Sequence, residues 1–494
     1  MGDFDPYASM AEWQRGVVEP FAQMSGIPPG TVLFTFALWA SLPLGAVFQL
    51  IPWPTLKNVY SFVSGVLLSL FAFGSSTYTC AVLGIFSYAA MVIDRKRCGY
   101  VVFAGSFAYL IYFHAFSASG EAWKAGNIDI TGLLMVLTLK VTACALNYQD
   151  SGTIAESERN DFQRRRAVET LPGVIEYAGW LMFPCTLVVG PAIEFRDYHD
   201  WLHKKGVWGG KGCPSVWGRC ALLVAYSQVF AAVHMIVMQY YTLGNTYLGA
   251  DWNDKSVLQK FWELHILGQG SRGKYFFCWV WAEAACVAAG IGFSGYDHES
   301  GAPTWSGCTN VRPMGVEKAA TFVEIPHHWN VQTGTWLRHY VYDRTTPRGK
   351  KPGFKQILIT QVVSGVWHGL YAGYWLFFVS SAVFLQGSKS MFRWQRAHWP
   401  RRWNFLIDFP HWLLTTVGLN YLCGAFMLVT YEQCMAAWGS VYFIPHWIVL
   451  FMLVFGETFK GKRKPRVNAE VKTTVAVERV ATNGDAPVES KKEQ

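Results

Sequence analysis

The stretch CALLVAYSQVFAAVHMIVMQYY, residues 220–241, contains no Asp, Glu, Lys or Arg. A helix needs about 20 mostly apolar residues to cross the hydrocarbon core of a bilayer, and this stretch supplies them. Water is absent at that depth, so the backbone must satisfy its own hydrogen bonds as a helix. Working outward, similar runs occupy 31–51, 59–74, 77–93, 98–116 and 130–148 on the N-terminal side. On the C-terminal side they occupy 275–293, 354–392, 412–430 and 441–455, and 354–392 holds enough residues for two spans. One shorter run, 174–189, contains Pro184. The expectation is an all-α, polytopic integral membrane protein with about eleven transmembrane helices.

Composition agrees. Of the 494 residues 52% are hydrophobic and 15% charged, where a soluble chain carries about a quarter charged residues. The 23 Trp and 23 Tyr suit the membrane–water boundary, where a ring is half buried and its polar atom wet. The net charge of +9 comes from short basic clusters between apolar runs, as the positive-inside rule describes, and no basic soluble face points to nucleic acid. The link 94–97 carries Arg95, Lys96 and Arg97, and the link 149–172 carries Arg159, Arg164, Arg165 and Arg166. Two spans separate these links, so they share a side. The next basic link, 196–214 with Lys204, Lys205 and Lys211, follows after the single run 174–189. Either its lysines do not report topology, or the segment around Pro184 is bent or re-entrant, which protein on all sides would permit. The eleven cysteines include no C-x-x-C pair and read as small packing residues, with no disulfide framework or zinc site expected.

Three parts follow: an N-terminal segment 1–29, a membrane domain 30–455 and a basic tail 456–494. The opening MGDFDPYASMAEWQRG lacks the charged-then-apolar pattern of a cleavable signal. Lys460, Lys462, Arg463, Lys464 and Arg466 follow the last run directly, which assigns the tail to the cytoplasm, and its composition suggests disorder. Lys491 and Lys492 in the terminal KKEQ resemble a dilysine signal for retrieval to the endoplasmic reticulum, the alternative being an ordinary solvated terminus. The long polar link 294–352 is rich in aromatics and reads as an ordered cap of helix and loop over a cavity.

Two stretches carry chemistry. SGVWHGLYAGYWLFF, 364–378, places His368 in an apolar segment with no acidic neighbour in sequence. Ionisable groups at membrane depth are costly and usually face a working cavity. A neutral imidazole is cheap to bury and suits general-base work near neutral pH. Ser364 lies one turn earlier on the same helical face and could orient the ring. Gly365, Gly369 and Gly373 permit close approach. A packed core histidine remains the other reading. EIPHHWNVQTGTWLRHYVYDR, 324–344, offers Asn330 as donor and acceptor, with His327, His328 and His339 as competing bases. The spacing of Trp329, Thr333, Trp336, Tyr340 and Asp343 equally fits an ordinary amphipathic helix. Lys140, Glu176 and Glu283, each inside an apolar run, either line a path or form internal salt bridges.

Together these stretches resemble the membrane-bound O-acyltransferase family, most of all its lysophospholipid acyltransferase branch. The Ser-x-x-Trp-His-Gly signature is matched by Ser364, Trp367, His368 and Gly369, followed by Gly373 and Tyr374, with Ala372 where Pro is usual. The Asn motif is matched by Trp329, Asn330, Trp336, Leu337, Tyr340, Val341 and Tyr342. SRGKYFFCW, through Arg272, Lys274, Tyr275 and Trp279, is similar as well. So are LPGVIEYAGWLMFPCTLVVGPAIEF and LKVTACALNYQDS, the latter with Ser151 where Gly is common. The matches run from Lys140 to Phe378 in family order. The resemblance implies helices around a central reaction chamber. It implies His368 as general base, Asn330 as its polar partner, and transfer of an acyl chain from acyl-CoA to the free hydroxyl of a lysophospholipid. Lysophosphatidylcholine is the favoured acceptor. It implies no metal and no resident cofactor, acyl-CoA being a co-substrate, and residence in the endoplasmic reticulum membrane. Ser364, Trp329, Trp367, Arg272, Lys274, Tyr275, Arg338, Tyr342, Arg344 and Lys351 are the candidate contacts for acyl-CoA or lipid. CoA is a polyanion and calls for fixed cations, so Arg344, Arg348, Lys350, Lys351 and Lys355 between the two motifs are expected near it, or simply mark the cytoplasmic side.

Two other readings remain: a relative acting on sterol, diacylglycerol or protein, and a transporter with intramembrane charges along its path. Transporters commonly show internal repeats, and none is evident here. The soluble-headed glycerolipid acyltransferases use a His with an Asp five positions later, a spacing that none of the thirteen His residues has.

Overall fold

The computed structural model describes residues 10–116, 128–210, 212–347 and 349–459. The tail 460–494 with its KKEQ terminus, and Arg348 and Lys211, lie outside the described residues. The first half comprises α1 (Glu12–Ser25), α2 (Pro29–Val47), α3 (Pro54–Phe73), α4 (Tyr78–Ile93), α5 (Cys98–Phe116), α6 (Thr131–Thr153), α7 (Asp161–Arg165), α8 (Val174–Leu181), α9 (Pro184–Leu187) and α10 (Phe195–Leu202). The second comprises α11 (Trp217–Tyr240), α12 (Val257–Ala289), α13 (Pro313–Glu317), α14 (Val331–Leu337), α15 (Phe354–His368), α16 (Ala372–His398), α17 (Phe405–Leu428), α18 (Tyr431–Gly439) and α19 (Ile444–Thr458). One small antiparallel hairpin pairs Gly295–Tyr296 with Pro303–Thr304. The chain is a helical, multi-pass membrane protein.

Among the described residues five helical runs are long and apolar enough to cross a membrane, and α18 with α19, bent by 79°, makes a sixth. The figure of eleven is not reached by that measure, for physical reasons. Pro54–Ile93 counts as one run, yet α3 and α4 lie antiparallel against α8. Ser61 donates to the Gly179 carbonyl and Gly65 abuts Met182, whereas Gly84 abuts Leu181 and Ser87 bonds Tyr177. The reversal occurs at Gly74, whose φ of 56° suits glycine. The helix expected at 275–293 begins instead at Val257. Its added turns carry Lys260 and Arg272, both buried and bonded inside the protein, so an apolarity count passes them over.

The segment around Pro184 is re-entrant. It breaks into α8 and α9, and its two limbs meet: Arg166 pairs with Asp197, and Arg196 donates to the Ala167 carbonyl. Both flanking basic links therefore share one face. Arg95 joins that face by donating to the Tyr148 carbonyl, and Arg344 by pairing with Asp150. Charge pattern and packing thus agree on a single basic face. Lys140, fully buried, donates to the Trp180 and Leu181 carbonyls (2.5 and 3.0 Å) at the C-terminus of α8. It is a helix cap, neither a path residue nor half of a salt bridge. Glu283 does pair with Arg219, at 3.3 Å.

α6 is the pillar of the fold: 89% of its span is buried, against 22–39% in the other four single runs. Its buried Asn147, Gln149 and Asp150 are bonded to neighbours, as burial requires, while the buried Thr138 hydroxyl has no partner among the described residues. The link expected to cap a cavity is ordered, but α14 and the π-helical turn Arg338–Tyr342 run down the side of α6 rather than over the body.

Candidate active site

His368 is the last residue of α15. Its Nδ1 lies 2.7 Å from the Ser364 carbonyl oxygen. A carbonyl only accepts, so Nδ1 carries the proton and Nε2 keeps its lone pair. Ser364 orients the ring as expected, though through its carbonyl and not its hydroxyl. Nε2 has no hydrogen bond among the described residues. The imidazole sits among aromatic rings, with centroids 4.6 Å from Trp367, 4.7 Å from Phe378 and 5.5 Å from Phe426. The helix stops there because Gly369 takes φ 136°, a conformation few other residues tolerate. α16 restarts at Ala372, its first residue, where Pro and Ala serve equally because that N–H has no helical partner. Gly373 lets α17 close in: an added Cβ would stand 2.2 Å from the Ala425 carbonyl oxygen.

Asn330 opens α14 with φ 46° and ψ 54°, a left-handed conformation that Asn tolerates better than most residues. A residue at this position usually spends its side chain capping its own helix. Here Asn310 caps in its place. The Asn310 carbonyl accepts from Val331 N–H (2.7 Å) and its side-chain oxygen from Gln332 N–H (3.1 Å). The Asn330 amide is left without a hydrogen bond among the described residues.

Two tryptophans fasten both motifs to the pillar. Trp367 Nε1 donates to the Met135 carbonyl (2.9 Å), and Trp336 Nε1 to the Leu139 carbonyl (3.0 Å). These carbonyls are one turn apart on α6, about 6 Å at 1.5 Å per residue. From Trp336 the chain climbs parallel to α6, through Tyr340 at Asn147 to Arg344 at Asp150. Asn330 precedes Trp336 by about 9 Å of helical rise, so it comes within about one turn of the depth of His368. Both lie about 27 Å of helical rise from the end of α6, the distance from Met135 to Thr153.

Beneath that face a polar network locks the motif. Asn147 Nδ2 donates to Glu194 (3.0 Å) and to the Tyr340 hydroxyl (2.8 Å), which donates to Glu194 (2.9 Å). Burial pushes the Glu194 carboxyl up to about 7, against the opposing pull of Arg166. Ser151 fits the place where Gly is common by accepting from Val168 N–H (3.0 Å).

The other expected contacts divide. Trp329 packs on Tyr275 and Trp279, with centroids at 5.5 and 5.0 Å, which joins the Asn motif to α12. Lys274 stands 5.2 Å over the Tyr275 ring. Arg338 and Lys351 are exposed, and Tyr342 is half buried, its carbonyl accepting from Thr346. Two of the expected cations are paired within the protein. Arg272 is buried, donates to both Glu317 oxygens (2.8 and 3.0 Å) and bonds Asn420, so its charge is already balanced inside the protein. Arg344 is held 2.6 Å from Asp150. Lys350, Lys351 and Lys355 remain as exposed cations near the start of α15.

Sequence reasoning missed Asn310 and His114. His114, buried at the end of α5, donates from Nε2 to the Trp367 carbonyl (3.1 Å), one residue before the candidate base. Its signal was a histidine within an apolar span. An apolar cavity of about 220 Å³ between α16, α17 and α19, lined by Phe384, Met391 and Ile448, is separate from both motifs.

Residues 116–430 match the membrane-bound O-acyltransferase family. Lysophospholipid acyltransferases 1 and 2 of Arabidopsis thaliana are 38% and 39% identical, each over 85% of this chain and over 92% and 91% of their own lengths. A lysophospholipid acyltransferase of Schizosaccharomyces pombe is 27% identical over 92% of this chain and 91% of its own.

Proposed function

The chain belongs to the membrane-bound O-acyltransferase family, and from that premise we propose that it transfers an acyl chain from acyl-CoA to the free hydroxyl of a lysophospholipid, lysophosphatidylcholine foremost. The observation that carries the reading is the tautomer of His368: with Nδ1–H donated to the Ser364 carbonyl, Nε2 is a free base inside an apolar cage. His368 Nε2 takes the hydroxyl proton as that oxygen attacks the thioester carbonyl. The new C–O bond forms, the C–S bond breaks, and the imidazolium returns its proton to the departing thiolate. Such a positioned base contributes about 10²–10⁴ in rate. The free amide of Asn330 donates to the thioester oxygen as negative charge develops on it, an effect of about 10²–10³ for one such donor. Exclusion of water by the surrounding helices limits thioester hydrolysis. No metal or resident cofactor has a part in these steps.

The basic face supports a cytoplasmic origin for acyl-CoA, with the exposed lysines near the start of α15 meeting its phosphates. Residence in the endoplasmic reticulum, with the C-terminus cytoplasmic, belongs to the same reading. The test is acyl transfer in isolated membranes, using labelled acyl-CoA with a panel of lysophospholipids, a sterol and diacylglycerol. A diacyl phospholipid product, most abundant from lysophosphatidylcholine, is expected. An esterified sterol or triacylglycerol as the main product would overturn the acceptor assignment.

A further inference from the structure

We propose that Glu176, His199 and His203 form a divalent transition-metal site, suited to Zn²⁺, that clamps the two limbs of the re-entrant segment outside the reaction centre. His199 and His203 are four residues apart at the end of α10, so their rings share a face, with centroids 4.5 Å apart. Glu176, in the first turn of α8, reaches between them. Its carboxylate oxygens lie 2.7 Å from His199 Nδ1 and 3.6 Å from His203 Nε2, and all three ligand atoms fall within 4.8 Å of one another.

The geometry fits one metal class. Zinc bonds of about 2.0–2.2 Å in a tetrahedron place ligand atoms about 3.3 Å apart. The two distances lie on either side of that figure, and the two ring nitrogens lie within 4.8 Å of one another, so small side-chain rotations bring the three atoms to the spacing a metal needs. Two imidazoles and one carboxylate suit Zn²⁺, whereas Ca²⁺ and Mg²⁺ favour six or more oxygens. His203 is exposed, which leaves the fourth position to water.

Without metal the same groups satisfy one another. His199 Nδ1 donates to Glu176, and the exposed Lys205 donates to His199 Nε2 (3.1 Å). On binding, the metal takes Nδ1, the proton moves to Nε2, and Lys205 turns to solvent. Glu176 stands on the inward limb and the histidines on the outward one. Between them lie Trp180, whose carbonyl is held by Lys140, and Glu194, which holds Tyr340 of the Asn330 element. The clamp therefore braces a segment that supports the site without touching substrate.

The experiment uses the full chain in lipid nanodiscs, stripped with chelator and titrated with Zn²⁺ alone. Bound metal and thermal unfolding are followed for wild type, His203→Ala and Glu176→Gln. His203 is exposed, and Gln keeps an oxygen for His199, so both variants fold with melting temperatures near that of metal-free wild type. Wild type should bind one more equivalent than either variant, or bind it at least about tenfold more tightly. Its melting temperature should rise with Zn²⁺ and not with Mg²⁺ or Ca²⁺. Equal Zn²⁺ binding by all three proteins, or an equal response to Ca²⁺, would overturn the proposal.

Discussion

Replacing Asn330 with glycine separates chemistry from architecture. The Asn330 side chain makes no hydrogen bond among the described residues, because Asn310 caps α14 in its place. Truncation therefore costs no side-chain bond. The backbone at φ 46° is left-handed, which costs an ordinary L-residue about 1–2 kcal/mol, Asn less and glycine nothing. Glycine loses about 0.5–1 kcal/mol through its freer unfolded chain. The two effects oppose, so the fold should change by less than about 1 kcal/mol. The lost amide is worth about 2.7–4 kcal/mol if it meets the developing oxyanion, or about 10²–10³ in rate. The assay pairs acyl transfer in membranes with thermal unfolding of purified Asn330→Gly. Activity should fall by two orders of magnitude or more at an unchanged melting temperature. Activity within about threefold of wild type would place the amide away from the reacting atoms. A loss of activity matched by a loss of folded protein would make Asn330 structural.

Asn310→Ala removes the side-chain half of the substitute cap, about 1 kcal/mol, and should slow transfer by at most about tenfold. A loss as large as that of Asn330→Gly would show that Asn310 does more than hold the helix. Arg272→Met should destabilise the protein by about 3–5 kcal/mol, because Glu317 is left unpaired, and Arg272→Met with Glu317→Met should recover most of it. The KM for acyl-CoA should not move in the double variant, and a tenfold rise would restore Arg272 as an anion contact. Glu194 holds its proton in the fold up to about 7, above its ordinary 4.5. Its stabilising contribution is thus complete below about 4.5 and is lost as pH rises to about 7. Wild type should lose stability across that window by up to about 3 kcal/mol relative to Glu194→Gln, read as melting temperature against pH. Parallel pH profiles would contradict the buried, protonated carboxyl.

Much of the site was legible because it is local. His368 with its flanking glycines, and Asn330 with its aromatic spacing, sit in short stretches, and the structure fastens both stretches to α6 through Trp367 and Trp336. The conflict between basic links around Pro184 pointed to a re-entrant segment, since charge reports side and length reports crossing. What stayed hidden depends on partners distant in sequence. Arg272 and Arg344 read as free cations until Glu317 and Asp150 are brought to them. Lys140 acts on backbone carbonyls, which no sequence displays. The capping of α14 by Asn310 and the hold of His114 on the Trp367 carbonyl are likewise backbone contacts. A count by apolarity alone passes over α12, because that helix carries buried, bonded polar residues along its length.

The central claim is that His368 Nε2 is the base. The most direct measurement is the rate of lysophosphatidylcholine acylation by His368→Ala, normalised to folded protein in the same membranes. A loss of at least about 10² in rate, with an unchanged melting temperature, is the expected result. Full activity in a normally folded variant would contradict the account.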